Sequence, residues 1–333
     1  MTSSPFHHLC PTSSNQVPRD RRYSHARFGF TLIELVMVLV ILAILATAAL
    51  NVVDVRVDEA RFDASQQTIQ SLDTAVLGPE NARSADGSRS VSGFVADCGR
   101  LPRSLEELYS FPSGLVPAFG NAAPAGDSEV TLSGGWNGPY LRLPIGGASL
   151  SDGWGQPFDL FQADGLVSAA NEPLAIIRSF GRDVELGGTD YDADVSLVFE
   201  ADASAVTAGL ASQEENRWQQ SVTAYIYYND STRNPDVSKG NRIVVRVYGP
   251  VADAMGSVTL GTISQVTTNY SSEAPVSVTL PSLAIGPRVI RVYQTMADPT
   301  SENQDLSTVS QAISVPTRLV VSRETTSIQL ILR

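Results

Sequence analysis

GFTLIELVMVLVILAILATAAL, residues 29–50, is almost wholly apolar and carries one charged side chain, Glu34. The 21 residues from Phe30 to Leu50 would rise roughly 31 Å as a helix, enough to span a bilayer. A carboxylate inside such a span costs about 2.5 kcal/mol or more on insertion scales, so the pattern predicts a partner for Glu34.

Ahead of the run lie mostly polar residues with Arg19, Arg21, Arg22 and Arg27 against Asp20. This positive excess predicts that the N-terminal end stays cytoplasmic and that the remainder is exported. An ordinary secretory signal ends its apolar core at a small-residue cleavage site. Here basic Arg27 and small Gly29 precede the run, so cleavage after Gly29 would leave it on the mature chain.

Gly29-Phe30-Thr31-Leu32-Ile33-Glu34, with the basic leader and the apolar span, resembles the class III leader site of type IV pilins and pseudopilins. The resemblance implies that a prepilin peptidase cuts between Gly29 and Phe30 and N-methylates Phe30. It also implies assembly with other pilin or pseudopilin subunits, on an inner-membrane platform and out of the lipid bilayer. Lipid gives little hydrophobic drive between spans, so association rests on close packing and on satisfied polar groups. The new ammonium at Phe30 of a neighbouring subunit is then the expected partner of Glu34. Many relatives carry a proline near the end of the apolar segment; this chain has Asn51.

Loss of the leader changes which chemistries remain. His7, His8 and His25, the only histidines, lie in it, as does Cys10; Cys98 is left without a pairing partner. A mature chain without histidine has no Ser-His or Cys-His pair and no imidazole metal ligand. No nucleophile motif stands out either, so an enzyme is not expected. The leader holds four of the 23 basic and one of the 35 acidic residues, so its removal moves the formal net charge from −12 to −15. Such a balance repels phosphate backbones and argues against nucleic acid as a partner.

From Asn51 to Leu77 there is no Gly or Pro, and Val55, Phe62, Ile69 and Val76 recur every seven residues with Leu72 between the last two. That stripe predicts that the helix continues beyond the membrane as an amphipathic, core-facing element, stopped by Gly78-Pro79.

Three later blocks resemble the major pseudopilin of type II secretion systems. Asp97-Cys98-Gly99-Arg100-Leu101-Pro102, followed by Ser104-Leu105-Glu106-Glu107-Leu108, reads as a turn and a short helix, with Ser104 as cap and Leu105 and Leu108 inward. Gly138-Pro139-Tyr140-Leu141 and Asp152-Gly153-Trp154-Gly155-Gln156-Pro157-Phe158 form the second pair, with Trp154 expected to anchor the core beneath a short antiparallel sheet. The third runs from Ser179 to Val195 and places five acidic residues between Asp183 and Asp194, interrupted by glycines. Hard cations take several oxygens from carboxylates and main-chain carbonyls, although an acidic, solvated loop is the commoner meaning of such a cluster. The spacing is not that of an EF-hand. The resemblance implies a structural Ca2+, with Asp183 and Asp194 giving side-chain oxygens, Asp192 the next candidate, and Phe180 and Glu185 giving carbonyls.

Past Phe199 the resemblance ends. Glu200 to Gln219 reads as a linker or short helix, and eight runs rich in Val, Ile, Thr and Tyr follow: 221–228, 242–248, 257–268, 275–281, 287–294, 309–315, 318–322 and 326–332. Asn229-Asp230, Gly249-Pro250 and Gly286-Pro287 serve as turn signals between them, as in a β-sandwich. Part of this stretch resembles the prealbumin-like modules of surface proteins. Tyr225, Tyr227, Tyr228 and Tyr248 are expected to cover a sheet face, with a contact surface as the alternative.

The expected fold is α+β. It has a leader, 1–29; a transmembrane and amphipathic helix, 30–77, packed on a small antiparallel sheet; and a pseudopilin-like head, 78–198. A linker, 199–219, leads to an all-β sandwich-like domain, 220–333. The expected role is that of a structural subunit of a type II secretion pseudopilus, single-pass in the inner membrane with its C-terminal region periplasmic. The alternative is a minor or adhesive type IV pilus subunit that displays the β-domain.

Overall fold

The computed structural model describes residues 31–79, 91–114, 116–117, 119–124, 127–143, 147, 149–169, 172–228, 242–269, 275–295, 311–324 and 327–332. Gly29, Phe30, the histidines, Cys10 and Asn229-Asp230 lie outside them. Residues up to Asp54 and residues from Val55 onward form two compact units.

Helix α1 runs Leu32–Leu77, roughly 69 Å at the standard rise. Thr31 begins it: its carbonyl accepts from Glu34 N and Leu35 N, and its Oγ1 accepts from Glu34 N at 3.3 Å. Gly78, at φ 81, ends it and donates to Thr74 O, as its left-handed conformation requires. Every described side chain from 31 to 47 is exposed. Among the described residues, which leave out the side chains of 48–52, no helix is long and apolar enough to cross a membrane.

The predicted stripe holds from Phe62 onward. Ile69, Leu72 and Val76 are buried, whereas Val55 is exposed: among the described residues the stripe is covered only from Phe62 downward. Ser65, which the apolar stripe does not single out, is fully buried.

The head packs α2 (Phe94–Cys98) and a short sheet against this stripe. A two-stranded ribbon of β1 (Gly120–Ala122) and β2 (Leu132–Gly134) precedes the antiparallel sheet β3 (Asp159–Phe161), β4 (Ile176–Ser179) and β5 (Val195–Val198), with β4 central. Ile176, Ile177, Leu197 and Phe199 share one core with Phe94, Leu101 and Leu108. Leu105 and Leu108 point inward as expected. Ser104 makes no side-chain cap; Glu107 accepts from Arg103 N, the residue ahead of the cap position, at 3.0 Å.

The stretch expected as a linker folds as β6 (Glu200–Ala201), α3 (Ala203–Thr207) and β7 (Glu215–Asn216). Asp202 caps α3 by accepting from Ser204 N and Ala205 N. Ala201, Ala205 and Leu210 enter the head core.

Beyond it the described residues form eight strands, close to the eight runs read from the alternation. β8 (Gln219–Tyr228) is flanked by β11 (Val276–Ala284) and, in parallel, by β15 (Ser327–Leu332). β9 (Arg242–Ala252) lies between β10 (Val258–Asn269) and β12 (Gly286–Thr295), which also pairs with β13 (Gln311–Ala312) and β14 (Thr317–Val321). Ile243, Val245, Val247, Ile290 and Val292 face Val222, Ala224, Ile226, Val278 and Leu280 across a sandwich core.

Gly249-Pro250 is not a turn but lies inside β9, whereas Gly286-Pro287 opens β12 one residue after β11 ends, where the chain bends at Ile285. A Cβ on Gly249 would come within 2.7 Å of Arg288 Cδ, and one on Gly286 within 2.7 Å of Ala96 Cα. A Cβ on Gly99 would sit 2.3 Å from Pro250 O. These glycines mark close approach of backbone and side chain, the other meaning of glycine in a strand. The second face of β9 is accordingly buried as well: Val244 and Tyr248 pack with Val289 and Tyr293 under Val130 and Leu132 of the head. Tyr248 is therefore core, while Tyr225 and Tyr227 are each 37% exposed.

Buried ionic contacts tie the head to these strands. Arg291 Nη1 donates to Asp127 Oδ1 and Oδ2 at 2.5 and 2.6 Å, and Nη2 pairs with Glu129. Tyr293 OH donates to Asp127 and lies 2.5 Å from Tyr248 OH. Arg288, 1% exposed, donates to Ala96 O, Ile285 O and Pro287 O. Arg100 forks onto Glu107 at 2.8 and 2.9 Å and reaches Gly256 O with Nε.

Candidate functional site

Two places carry the residues singled out by sequence: the start of α1 and the loop 180–194 between β4 and β5. At the first, Glu34 is the third residue of α1 after the cap residue Thr31. Thr-x-x-Glu is the capping-box spelling, in which the Thr oxygen and the Glu carboxylate serve free amides at a helix start. The Thr31 half is formed. Glu34 takes part in this helix start through its backbone amide, at the spacing from Thr31 that the motif spells. Gly29 and Phe30, the processing pair, lie outside the described residues.

The loop 180–194 rests on α1 through Asp58 and Phe62, and the segment 152–155 through Phe62 and Ser65; the three are positions i, i+4 and i+7 of one helix face. Phe62 meets Tyr191 and Trp154 edge-on, each at 6.2 Å between ring centroids. Trp154 is therefore half-buried against α1 rather than beneath the sheet. Its Asp-Gly-Trp-Gly segment works through the backbone: Gly153 N donates to Ser65 Oγ, and a Cβ on Gly153 would lie 1.8 Å from Arg61 O. Buried Asp152 holds that segment, with Oδ1 accepting from Trp154 N and Gln156 N and Oδ2 from Ser179 Oγ.

Within the loop, Gly181 and Gly188 take positive φ, and side chains there would collide with the backbone of Asp192. Val184 and Asp190 also sit in the left-handed region, at φ 59 and 55, an uncommon conformation for either residue and more so for β-branched valine. Asp183 Oδ1 accepts from Glu185 N, and Asp194 Oδ2 from Gly187 N. Asp192 is gripped by Arg182, Nε to Oδ1 at 2.9 Å and Nη2 to Oδ2 at 3.1 Å, while Arg182 Nη1 donates to Asp58 at 3.0 Å. Those hydrogen bonds hold the Arg182 guanidinium above its ordinary pKa. Arg178 Nη1 stands 3.2 Å from Asp194 Oδ2 at the mouth of the loop, and its Nη2 donates to Gly209 O and Leu210 O. Burial lowers the Arg178 pKa and the Asp194 charge opposes that fall.

A calcium ion using Asp183, Asp194, Asp192 and the carbonyls of Phe180 and Glu185 would have to share two of its three carboxylates with guanidinium groups. Among the described residues no three His, Cys, Asp or Glu side chains stand so as to hold a metal. As arranged, Asp192 and Asp194 are turned to guanidinium groups rather than gathered into an oxygen cage, while Asp194 Oδ1 is buried without a hydrogen-bond partner. Arg178 and Arg182, which the acidic spacing drew attention away from, complete the arrangement. An arginine closing the apolar run Leu174-Ala175-Ile176-Ile177 just before an acidic loop is the signal that points to one of them.

Residues 24–50 match the family model for the prokaryotic N-terminal methylation motif. The chain carries a prepilin-type N-terminal motif. Such a motif implies processing by a prepilin peptidase and assembly with other pilin-like subunits. It does not reach the head, the acidic loop or the β-strands. No curated protein and no solved structure matches the chain.

Proposed function

We propose that this prepilin-type chain is a structural subunit of a type II secretion pseudopilus. The observation that carries the reading is the methylation motif at 24–50 placed on an apolar helix whose side chains from 32 to 47 are all exposed. An apolar surface of that extent requires cover. In this proposal lipid supplies it before assembly and neighbouring helices afterwards. The apolar run through Leu50 crosses the inner membrane once, with the leader cytoplasmic and the head periplasmic. The peptidase cuts between Gly29 and Phe30, methylates Phe30, and Glu34 meets the Phe30 ammonium of the adjoining subunit. The role is structural, not enzymatic.

Support for the secretion filament comes from the three pseudopilin-like blocks of the head, at 97–108, 138–158 and 179–195, which follow one another along the chain in the order of the resemblance. One observation favours the alternative, a minor or adhesive type IV pilus subunit: Tyr225 and Tyr227 remain exposed on the β-sandwich, where a displayed module would present them.

Glu34→Ala should leave insertion and cleavage intact, read as the mass of the mature N terminus, and should lower incorporation into filaments. Normal filament yield from that variant would overturn the reading. Deletion of the chain separates the two filaments: retained surface fibres with accumulated exoproteins mark secretion, and lost fibres mark a pilus.

A further inference from the structure

We propose that guanidinium groups, rather than a metal ion, close the acidic loop, with Arg178 and Arg182 holding Asp194 and Asp192 and Arg182 carrying the same clamp to Asp58 on α1. Calcium was the expectation from resemblance; the inference here rests on the side chains found instead.

The geometry is that of a guanidinium site. Asp192 presents both oxygens to the Nε and Nη2 edge of Arg182 at 2.9 and 3.1 Å, the forked pairing that a planar guanidinium makes with a carboxylate. The remaining nitrogen, Nη1, reaches Asp58 Oδ2 at 3.0 Å. One cation therefore answers two carboxylates on different elements, which a lysine point charge would not orient. Arg178 is 5% exposed and fixed from behind by the carbonyls of Gly209 and Leu210, so it cannot swing away to admit another cation at Asp194. Asp194 Oδ1 is buried without a hydrogen-bond partner, but a divalent ion there would face the fixed charge of Arg178, and one at Asp192 would have to displace Arg182, the reverse of the oxygen-rich, negatively charged cage that calcium selects.

The clamp also explains how a loop with two residues in left-handed conformation keeps one shape. Asp58 lies one turn before Phe62, whose ring meets Tyr191 of the loop, and Gly153 sits on Arg61 and Ser65 of the same stretch. Arg182 is thus a positioning residue for the amphipathic half of α1 against the head.

The test uses the full processed chain in detergent, as wild type, Arg182→Gln, Arg182→Lys and Arg178→Gln. Two readouts are followed in millimolar calcium, millimolar magnesium and chelator: melting temperature, and the rate of limited proteolysis within 183–191. Wild type should show the same melting temperature and cleavage rate in all three media. Arg182→Gln should be cleaved several-fold faster with a small change in melting temperature, and Arg182→Lys should restore only part of the protection. A calcium-dependent rise in melting temperature or in protection of wild type, absent with magnesium, would overturn the proposal. So would a cleavage rate in Arg182→Gln equal to that of wild type. Filament yield is not a readout here, so the fate of the pseudopilus reading is decided separately.

Discussion

The head is held in two places by arginine, and the two are built differently. Toward the β-strands, Arg288 and Arg291 are buried and bound by several partners at once: three carbonyls for Arg288, Asp127 and Glu129 for Arg291. Toward α1, Arg182 is half-exposed on an accessible loop and reaches two aspartates across water-facing surface. A buried ion pair is strongly felt when one partner is removed, because the other charge is stranded. An exposed pair contributes little to global stability and is screened by salt. The strand side should therefore behave as part of one cooperative core, and the loop side as a local latch.

The largest effect is expected from Asp127→Ala. It leaves Arg291 only Glu129 and the Ser314 carbonyl and takes an acceptor from Tyr293 OH, so it should cost about 3 kcal/mol in a urea or thermal unfolding measurement, with little dependence on salt. Asp127→Leu combined with Arg291→Met should recover a large part of that loss. A loss under about 1 kcal/mol for Asp127→Ala would place this contact in the same class as the loop and end the distinction.

The same junction should respond to pH. Burial pushes the Asp97 pKa from 3.8 up to about 6, against the pull of the Tyr140 hydrogen bond and the Arg288 charge. A raised carboxylate pKa means that the fold favours the protonated form. The stability it contributes is complete below the ordinary value of 3.8 and is lost as pH rises through about 6. Wild type should therefore lose stability relative to Asp97→Asn between these limits, by on the order of 2–3 kcal/mol. Parallel pH profiles of the two proteins would show that Asp97 is not held in this environment.

The two sides also differ in how far the sequence reveals them. The β-strands follow from their alternation, and the helix from its apolar run and the Gly78 stop. Local periodicity governs both. The junction leaves no local trace, because its partners are distant in sequence: Asp127 and Arg291 are 164 residues apart, Ala96 and Arg288 192. Gly249 and Gly286 carry a signal, but one that reads only as a turn until the arginine and the α2 backbone they admit are known. In the loop, the acidic spacing is visible and its cation is not, since Arg182 sits inside the motif and Arg178 at the end of an apolar strand. Trp154 was legible as a packing residue; its partner, Phe62, lies on an element whose stripe alone does not say which neighbour it meets.

The smallest effect is expected from Asp58→Asn, and it tests the latch from the helix side. Asp58 accepts from Arg182 Nη1, while Arg182 keeps its forked grip on Asp192. The loop should therefore stay closed on itself and lose only its tie to α1. The change in global stability should stay within about 1 kcal/mol, and it should shrink as salt is raised, because the Debye length falls from about 30 Å at 0.01 M to about 3 Å at 1 M. Amide exchange should quicken around Phe62 and Ser65 while the core of β4 and β9 stays protected, since local opening need not draw on the global free energy. An effect of several kcal/mol that persists in high salt would mean that the helix contact belongs to the cooperative core, and the contrast between the two sides would disappear.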